Sequence, residues 1–507
     1  MSVHAPNDDL PFEEKQGISH VEALRREQTL QLDIDPKTDK RINRKIDIHI
    51  IPFLFGIWLF SFIDRTNIGN AKIEGMPADL GVATGNGFSI AITVFFITYI
   101  LVDLPSNWLV KHIKAGRYLS ALITCWGLTT TFLGFTKSLA GLIVARLFLG
   151  AFEGCLLGGI LVYLAFFYRR HEIVTRIGIF YAAAPLSGAF GGLLALGLAR
   201  IHYNGYNGWP WIFFSDSCLL LTAREPVQGI LTTLFGISCF FALPHTPADA
   251  WFLTPEEKKL AMQRMKADAH GAVVEEDVNN EKFNWGLVKV ALLAPQTWFC
   301  ATTWFFLLIP MYSLLLFLPT IIQGMGYQTT TAQLYTVGPN MVAFIFVLVL
   351  TKVSDKIKAR GPPMAAGVVL AIIGYAMVIG GKGTVRYGGT YFIAAGLFPA
   401  SSMQGWLPNN LAPHYVRATG IGFVIGFSNL AAFISTFIYT ADFAPDYLPG
   451  HYTCLGSLVM VLILITLQVT YLKRENMKRE RGDRDYRLTE GNIASLGHRH
   501  PAFKYTI

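Results

Sequence analysis

Four charged side chains interrupt apolar stretches of this sequence: Asp64 and Arg65 side by side, Arg146 and Glu153 seven positions apart. A helix with 3.6 residues per turn puts positions i and i+7 on one face, so Arg146 and Glu153 point the same way, about 10 Å apart along the axis. Asp64 and Arg65, adjacent in sequence, point to different faces. The Arg146 guanidinium is a planar fork of donors that matches a carboxylate through two bonds at once. The carboxyl group of Glu153, lying deeper, can take up and release a proton. The pair is suited to coupling the binding of an organic anion to the binding of a proton. The structural alternative is that Arg146 and Glu153 satisfy each other and brace neighbouring helices.

The elements that hold these residues are read from composition. Of 507 residues 52% are hydrophobic and only 15% charged, with mean hydropathy +0.41, whereas soluble chains carry about a quarter of their residues as charges. This is a membrane composition, and it excludes a secreted disulfide scaffold, a disordered tail protein and a nucleic-acid binder. The net charge of +8 sits in loops between apolar runs. Six cysteines (Cys125, Cys155, Cys218, Cys239, Cys300, Cys454) form no metal-binding spacing and read as buried small apolar residues. A spanning helix needs about 20 apolar residues. Twelve stretches qualify, roughly 46–68, 87–109, 117–136, 138–166, 174–199, 209–243, 297–322, 333–352, 362–381, 387–408, 418–440 and 452–472. A charge at membrane depth costs about 2.5–3.5 kcal/mol on insertion scales, so each one needs a reason. In the first span the stretch Ile48 to Ile63 is too short to cross, which places Asp64 and Arg65 inside the membrane.

The polar first 45 residues argue against a cleaved signal peptide. Lys and Arg gather on one side of the spans, at Arg44, Lys111, Lys114, Arg117, Arg169, Arg170, Lys356, Arg360, Arg417 and after Lys473, so both termini are expected in the cytosol. The expected division is a tail (1–45), a six-helix bundle (46–243), a charged and partly helical linker (244–296), a second six-helix bundle (297–472) and a cytosolic tail (473–507). The halves echo one another: Asp103, Lys111 and Arg117 after span two resemble Asp355 and Arg360 after span eight, and these five residues are expected to form cytosolic gates. Duplicated six-helix halves form a rocking transporter with its site at the midplane. Glycines in spans five (Gly188, Gly191, Gly192) and eleven (Gly420, Gly422, Gly426) are expected to let helices approach closely. Trp304, Phe305, Tyr312, Gln404, Trp406, Asn409 and Asn410 are candidates to line a substrate cavity, the alternatives being an interfacial belt or interhelical hydrogen bonding. Span six is overlong because Ser215 to Gln228, carrying Asp216, Arg224, Glu225 and Pro226, interrupts it. Either an artefact of the gene model or an enlarged outer loop accounts for that insert.

Several runs occur together: Asp64-Arg65-Thr66-Asn67-Ile68-Gly69-Asn70-Ala71, Pro105-Ser106-Asn107, Arg146 with Gly150 and Glu153, Tyr168-Arg169-Arg170-His171-Glu172, and Asn409-Asn410 with His414 and Arg417. In combination they resemble the anion:cation symporter family of the major facilitator superfamily, most closely its fungal allantoate, nicotinate and vitamin permeases, over roughly 45–475. The resemblance implies an all-α integral membrane fold of about twelve helices in two pseudo-symmetric bundles, without enzymatic activity. It implies proton-coupled movement of a small organic anion by alternating access, at the plasma membrane. By the same resemblance Arg65 and Arg146 serve the anion and Glu153 the proton, with Asp64 structural or proton-linked and Asn67 in the same run a further substrate contact. No cofactor or metal is expected beyond the proton gradient. The expected partners are the anion, protons and the lipid bilayer, not nucleic acid, and the chain is expected to be a monomer. Alternatives are an exporter of an acidic metabolite or toxin, and a non-transporting nutrient sensor with a carrier fold.

Overall fold

The computed structural model describes residues 35–81, 86–198, 202–203, 206–207, 209–214, 228–270, 285–357, 360–397, 401–412, 414–489, 498–501 and 503–506. Asp35 starts the first long helix: its carboxylate accepts the Lys37 N–H at 3.3 Å, and Pro36 occupies the first helical position, where its missing N–H costs nothing. That helix, Pro36–Ile73, spans 38 residues, or about 57 Å. It begins ten residues before the expected span and so projects well beyond a bilayer core.

Within the described residues, each of the twelve expected spans falls on helix. After span one come Gly87–His112, Ala115–Leu133, Leu139–Phe167, a fifth span made of Arg170–Tyr181 and Ala183–Leu198, and a sixth made of Pro210–Phe214 and Gln228–Ala242. The second half holds Pro295–Gly324, an eighth span of Thr329–Tyr335 and Val337–Ile357, then Gly361–Gly380, a tenth of Thr384–Leu397 and Ser401–Asn409, an eleventh of His414–Asn429 and Ala431–Phe437, and Leu448–Glu480. Eight helices among the described residues are long and apolar enough to cross a membrane unaided. The only described strands are the two-residue hairpin His202–Tyr203 and Tyr206–Asn207. The insert at 215–227 lies outside the described residues. Cys125 is exposed, contrary to its expected burial, while Cys155, Cys239, Cys300 and Cys454 are buried.

Each half packs chiefly on itself: span two along four, three along six and one along five, then nine along ten and twelve, and seven along eleven and twelve. The halves meet where span one touches seven, five touches eight and ten, and two touches eleven. On the side away from the chain termini these meetings are tight. A methyl group at Gly69 would run into the backbone carbonyl of Leu316, and one at Gly188 would meet the Asn340 side chain at 2.7 Å. Thr93 and Thr436 share a 3.0 Å hydrogen bond, Gln333 donates to Glu74 at 2.9 Å, and Lys72 lies 4.7 Å from the Phe317 ring. This far side is closed. In span eleven, by contrast, Gly426 faces open space, so that glycine marks no close approach.

On the terminal side the linker helix Pro255–His270 lies against the first half. Glu257 accepts from Lys45 at 2.7 Å, and the buried Arg264 donates at 2.6 Å to both Glu172 and Asn43. Arg176 adds a two-bond pair with Asp47 at 2.9 and 3.0 Å.

Candidate functional site

Span one is buried on all sides near its far end, from Ser61 to Ala71, which is why its charges must find partners inside the protein. They find them on two faces. On one, Arg65 Nε donates to Glu153 Oε1 of span four at 2.5 Å, and Ser61, one turn earlier on span one, donates to the same oxygen. Arg65 is 6% exposed and Glu153 1%. The guanidinium lies 5.0 Å from the rings of Phe62 and Tyr99 and 5.7 Å from that of Phe95, within cation–π range. Across the boundary Tyr312 of span seven stands 5.0 Å from Phe96 and within electrostatic reach of Arg65, and it donates to Asn429 of span eleven at 2.6 Å. Arg65 therefore sits at the meeting of the two halves.

On the other face Asp64 turns away from that boundary, toward span three, where Thr130 donates to it at 3.0 Å. Arg146 is 3% exposed, and the carboxylates whose fields act on it are those of Asp64 and, less strongly, Glu153. Its Nε and Nη2 have no hydrogen-bond acceptor among the described residues. The four groups form one cluster, Asp64 and Glu153 against Arg65 and Arg146, with a formal charge of zero.

This bears on the structural alternative raised from the sequence, in which Arg146 and Glu153 satisfy each other. Arg146 and Glu153 share a helix face, but Glu153 is bonded to Arg65 rather than to Arg146. Seven residues on one helix hold two side chains about 10 Å apart along the axis, whereas span one packs beside span four and brings Arg65 directly alongside. The expectation that Asp64 and Arg65 face different ways holds.

The remaining candidates are dispersed. Asn67 is buried at 1% exposure, two residues beyond Arg65. Thr66 and Asn70, which the sequence reading did not single out as site residues, line a small cavity of about 20 Å³ at the boundary, together with Asn340 and Thr336 of span eight. Trp304 borders a different small cavity, inside the second half, with Met403 and Ile421. Asn409 is exposed at the terminal end of span ten, and Trp406 and Asn410, fully buried, bond to the backbone of Thr506. The helix runs on past the midplane, which carries these residues to the terminal surface. Of the gate residues Asp103 is buried, Arg117 is exposed, and Arg360 donates to Ser354 at 3.0 Å. The side chains of Gln404, Lys111 and Asp355 lie outside what is described.

Two bundles of apolar helices with a charge-balanced cluster buried among them define a multi-pass membrane transporter. Residues 54–439 match the Major Facilitator Superfamily, and the chain belongs to that family. It is 34% identical over 456 residues to an uncharacterized transporter of Schizosaccharomyces pombe, covering 89% of this chain and 87% of the relative. It is 32% identical over 474 residues to the high-affinity nicotinic acid transporter of Saccharomyces cerevisiae, covering 92% and 85%. These relatives place it in the fungal permease branch. Among solved structures it is similar to a D-xylose-proton symporter, with a TM-score of 0.59 and 14% identity over 83% of this chain and 97% of that one. It is similar, too, to an inward-facing bacterial homolog of the human lysosomal transporter Spinster, with a TM-score of 0.58 and 14% identity over 86% and 96%.

Proposed function

We propose that this carrier moves a small organic monoanion together with a proton, and that the Arg65–Glu153 ion pair couples the two. The supporting observation is that Glu153 occupies the donor group an anion would need. While Glu153 is ionised it holds Arg65. Once protonated it releases the guanidinium, and a substrate carboxylate takes its place.

Charge accounting gives the coupling. The empty cluster is neutral, and so is the cluster loaded with one proton and one anion. Anion alone leaves a net negative charge, and proton alone a net positive one, each buried at a cost of several kcal/mol. Only the empty and fully loaded carriers then reorient. The two bundles, 46–243 and 297–472, rock about the boundary where the cluster lies, with both termini in the cytosol and the chain in the plasma membrane. The far side, closed here, is accordingly the outer one.

The rings of Phe62, Phe95, Phe96, Tyr99 and Tyr312 around Arg65 favour a flat, partly apolar acid over a polyol. The relative named for nicotinic acid supports that direction. In this reading Arg146 keeps Asp64 company inside the first bundle and lends the substrate its field; Asn67 lies next to the cavity between the bundles.

The test is uptake of labelled nicotinate and a panel of small monocarboxylates into cells at external pH 5 and 7.5, with and without a protonophore. Accumulation should follow the proton gradient without net current, and Arg65→Ala should lower uptake at least about 100-fold at normal surface level. Accumulation indifferent to the protonophore, or retained by Arg65→Ala, would overturn the reading.

A further inference from the structure

Lys72, partly buried in the last turn of the helix Pro36–Ile73, lies seven residues beyond Arg65. The two therefore share a face of span one, about 10 Å apart along the axis. That face looks across the boundary between the halves: Arg65 is within electrostatic reach of Tyr312 and Lys72 packs on Phe317, both of span seven. Where Arg65 has Glu153, the Lys72 ammonium has ring faces, Phe317 at 4.7 Å and Phe88 at 5.5 Å, and the Tyr439 carbonyl, to which it donates at 3.4 Å. No carboxylate pairs with it among the described residues. Glu74, two positions further on, points elsewhere and accepts from Gln333 of span eight.

The partners Lys72 does have are divided between the halves. Phe88 lies at the start of span two, in the same half as Lys72, whereas Phe317 belongs to span seven and Tyr439 follows span eleven. Opening the far side parts span one from seven and two from eleven. A ring and the carbonyl then withdraw, and the ammonium is left beside Phe88 on the wall of the widening mouth, in the path of any solute bound for Arg65. An ammonium is a compact point charge without the fork of a guanidinium, so it holds a carboxylate loosely and gives it up. Phe88 offers an apolar face to the remainder of a flat acid. When the halves close, Phe317 and the Tyr439 carbonyl take the ammonium back and displace the anion.

We propose that Lys72 and Phe88 form a far-side waiting site for an organic carboxylate, filled only while the far side is open, from which the anion passes about 10 Å along span one to Arg65. The site rests on the reading of this chain as an anion carrier. Its charge is present in the empty and the loaded carrier alike, so it leaves the proton coupling as it is.

Lys72→Gln separates capture from latching, because the amide keeps N–H donors for the Tyr439 carbonyl while the charge is gone. At fixed external pH and normal surface level, KM for labelled nicotinate should rise at least about fivefold with Vmax within about twofold of the parent, and Lys72→Arg should return KM to within about twofold. A second measurement needs no substrate. Thr436 is fully buried in the closed far-side contact, so in intact cells a Thr436→Cys reporter reacts when the far side opens. Its labelling by an anionic and by a cationic methanethiosulfonate of matching size is measured against the parent lacking that cysteine. The frequency of opening cancels in the ratio of the two rates, whereas a positive charge in the mouth does not, and Lys72→Gln should lower the anionic-to-cationic ratio at least about threefold. An unchanged ratio overturns the waiting site, as does a lowered Vmax with KM unchanged; either leaves Lys72 as a latch of the closed state. A parent that takes up no monocarboxylate defeats the anion reading and takes the site's role with it, and the reagent ratio, read without transport, tells that failure from the others.

Discussion

Arg65 answers to two carboxylates that cannot hold it at the same time: the one the protein provides and the one a substrate would bring. Glu153→Gln separates the two conditions, because glutamine imitates the protonated acid in shape but never carries the charge. The empty cluster then holds an uncompensated positive charge while the anion-loaded one is neutral, so the loaded carrier reorients and the empty one does not. Net uptake of labelled anion should fall at least about tenfold and lose its dependence on external pH, while exchange against internal anion stays within about threefold of the parent. Proton-driven accumulation by this variant would show that another group carries the proton. The neighbouring Asp64 is bonded to Thr130, away from Arg65, so the same substitution there tests the first bundle's packing rather than the anion's donor.

Helix contacts decide how the cluster is reached. Span one meets span seven at Gly69, where the first carbon of any side chain would overlap the Leu316 carbonyl. The contact is backbone on side chain position, so no rotamer change relieves it. Gly69→Ala should therefore hold the far side ajar. Expected is a gain of maleimide labelling at a Thr436→Cys reporter together with a drop in uptake of about tenfold or more, since a carrier that cannot close cannot complete its cycle. Unchanged labelling would mean that the two helices shift past the added methyl. The linker helix acts on the other face of the same bundle. Its Arg264 joins Glu172 and Asn43, tying span one to the start of span five, and so stiffens the first half as one body.

At the level of the assembled chain, the two halves carry different clasps on their terminal face: a charge network from the linker on the first, and main-chain capture of the tail on the second. The second has a built-in acid response. His498 Nδ1–H donates to the Ala412 carbonyl across 2.7 Å. Burial foremost, and then Arg479, Arg499 and Arg487, push its pKa below the usual 6.5, against the bond to Ala412, while the Tyr505 hydroxyl donates to its backbone. A histidine whose docked pKa is lower than its free one favours docking when neutral. Docking is thus at full strength above the free value, weakens as pH falls through 6.5 and has lost that contribution once pH is below the docked value. Exchange protection of the tail, corrected for intrinsic rates, should decline between about pH 7 and 5, and His498→Gln should flatten that decline. Protection that grows on acidification would reverse the sign assigned to His498.

The helices were legible from sequence because a spanning segment satisfies its backbone internally and is marked by some twenty consecutive apolar residues. The same one-dimensional signal exposed Asp64, Arg65, Arg146 and Glu153 as charges out of place, and the combined runs around them announced the family. Composition cannot say which charge meets which, since that is fixed by how spans one and four lie side by side; the partner of Glu153 came from another helix rather than from its own face. Nor could it place Trp406, Asn409 and Asn410, whose depth depends on how far span ten runs toward the terminal surface. The tail after Lys473 reads as a short basic stretch, yet Asn410, Asn476 and Arg479 bind its backbone, and a contact made through main-chain atoms leaves no mark in the side chains of the segment that is bound.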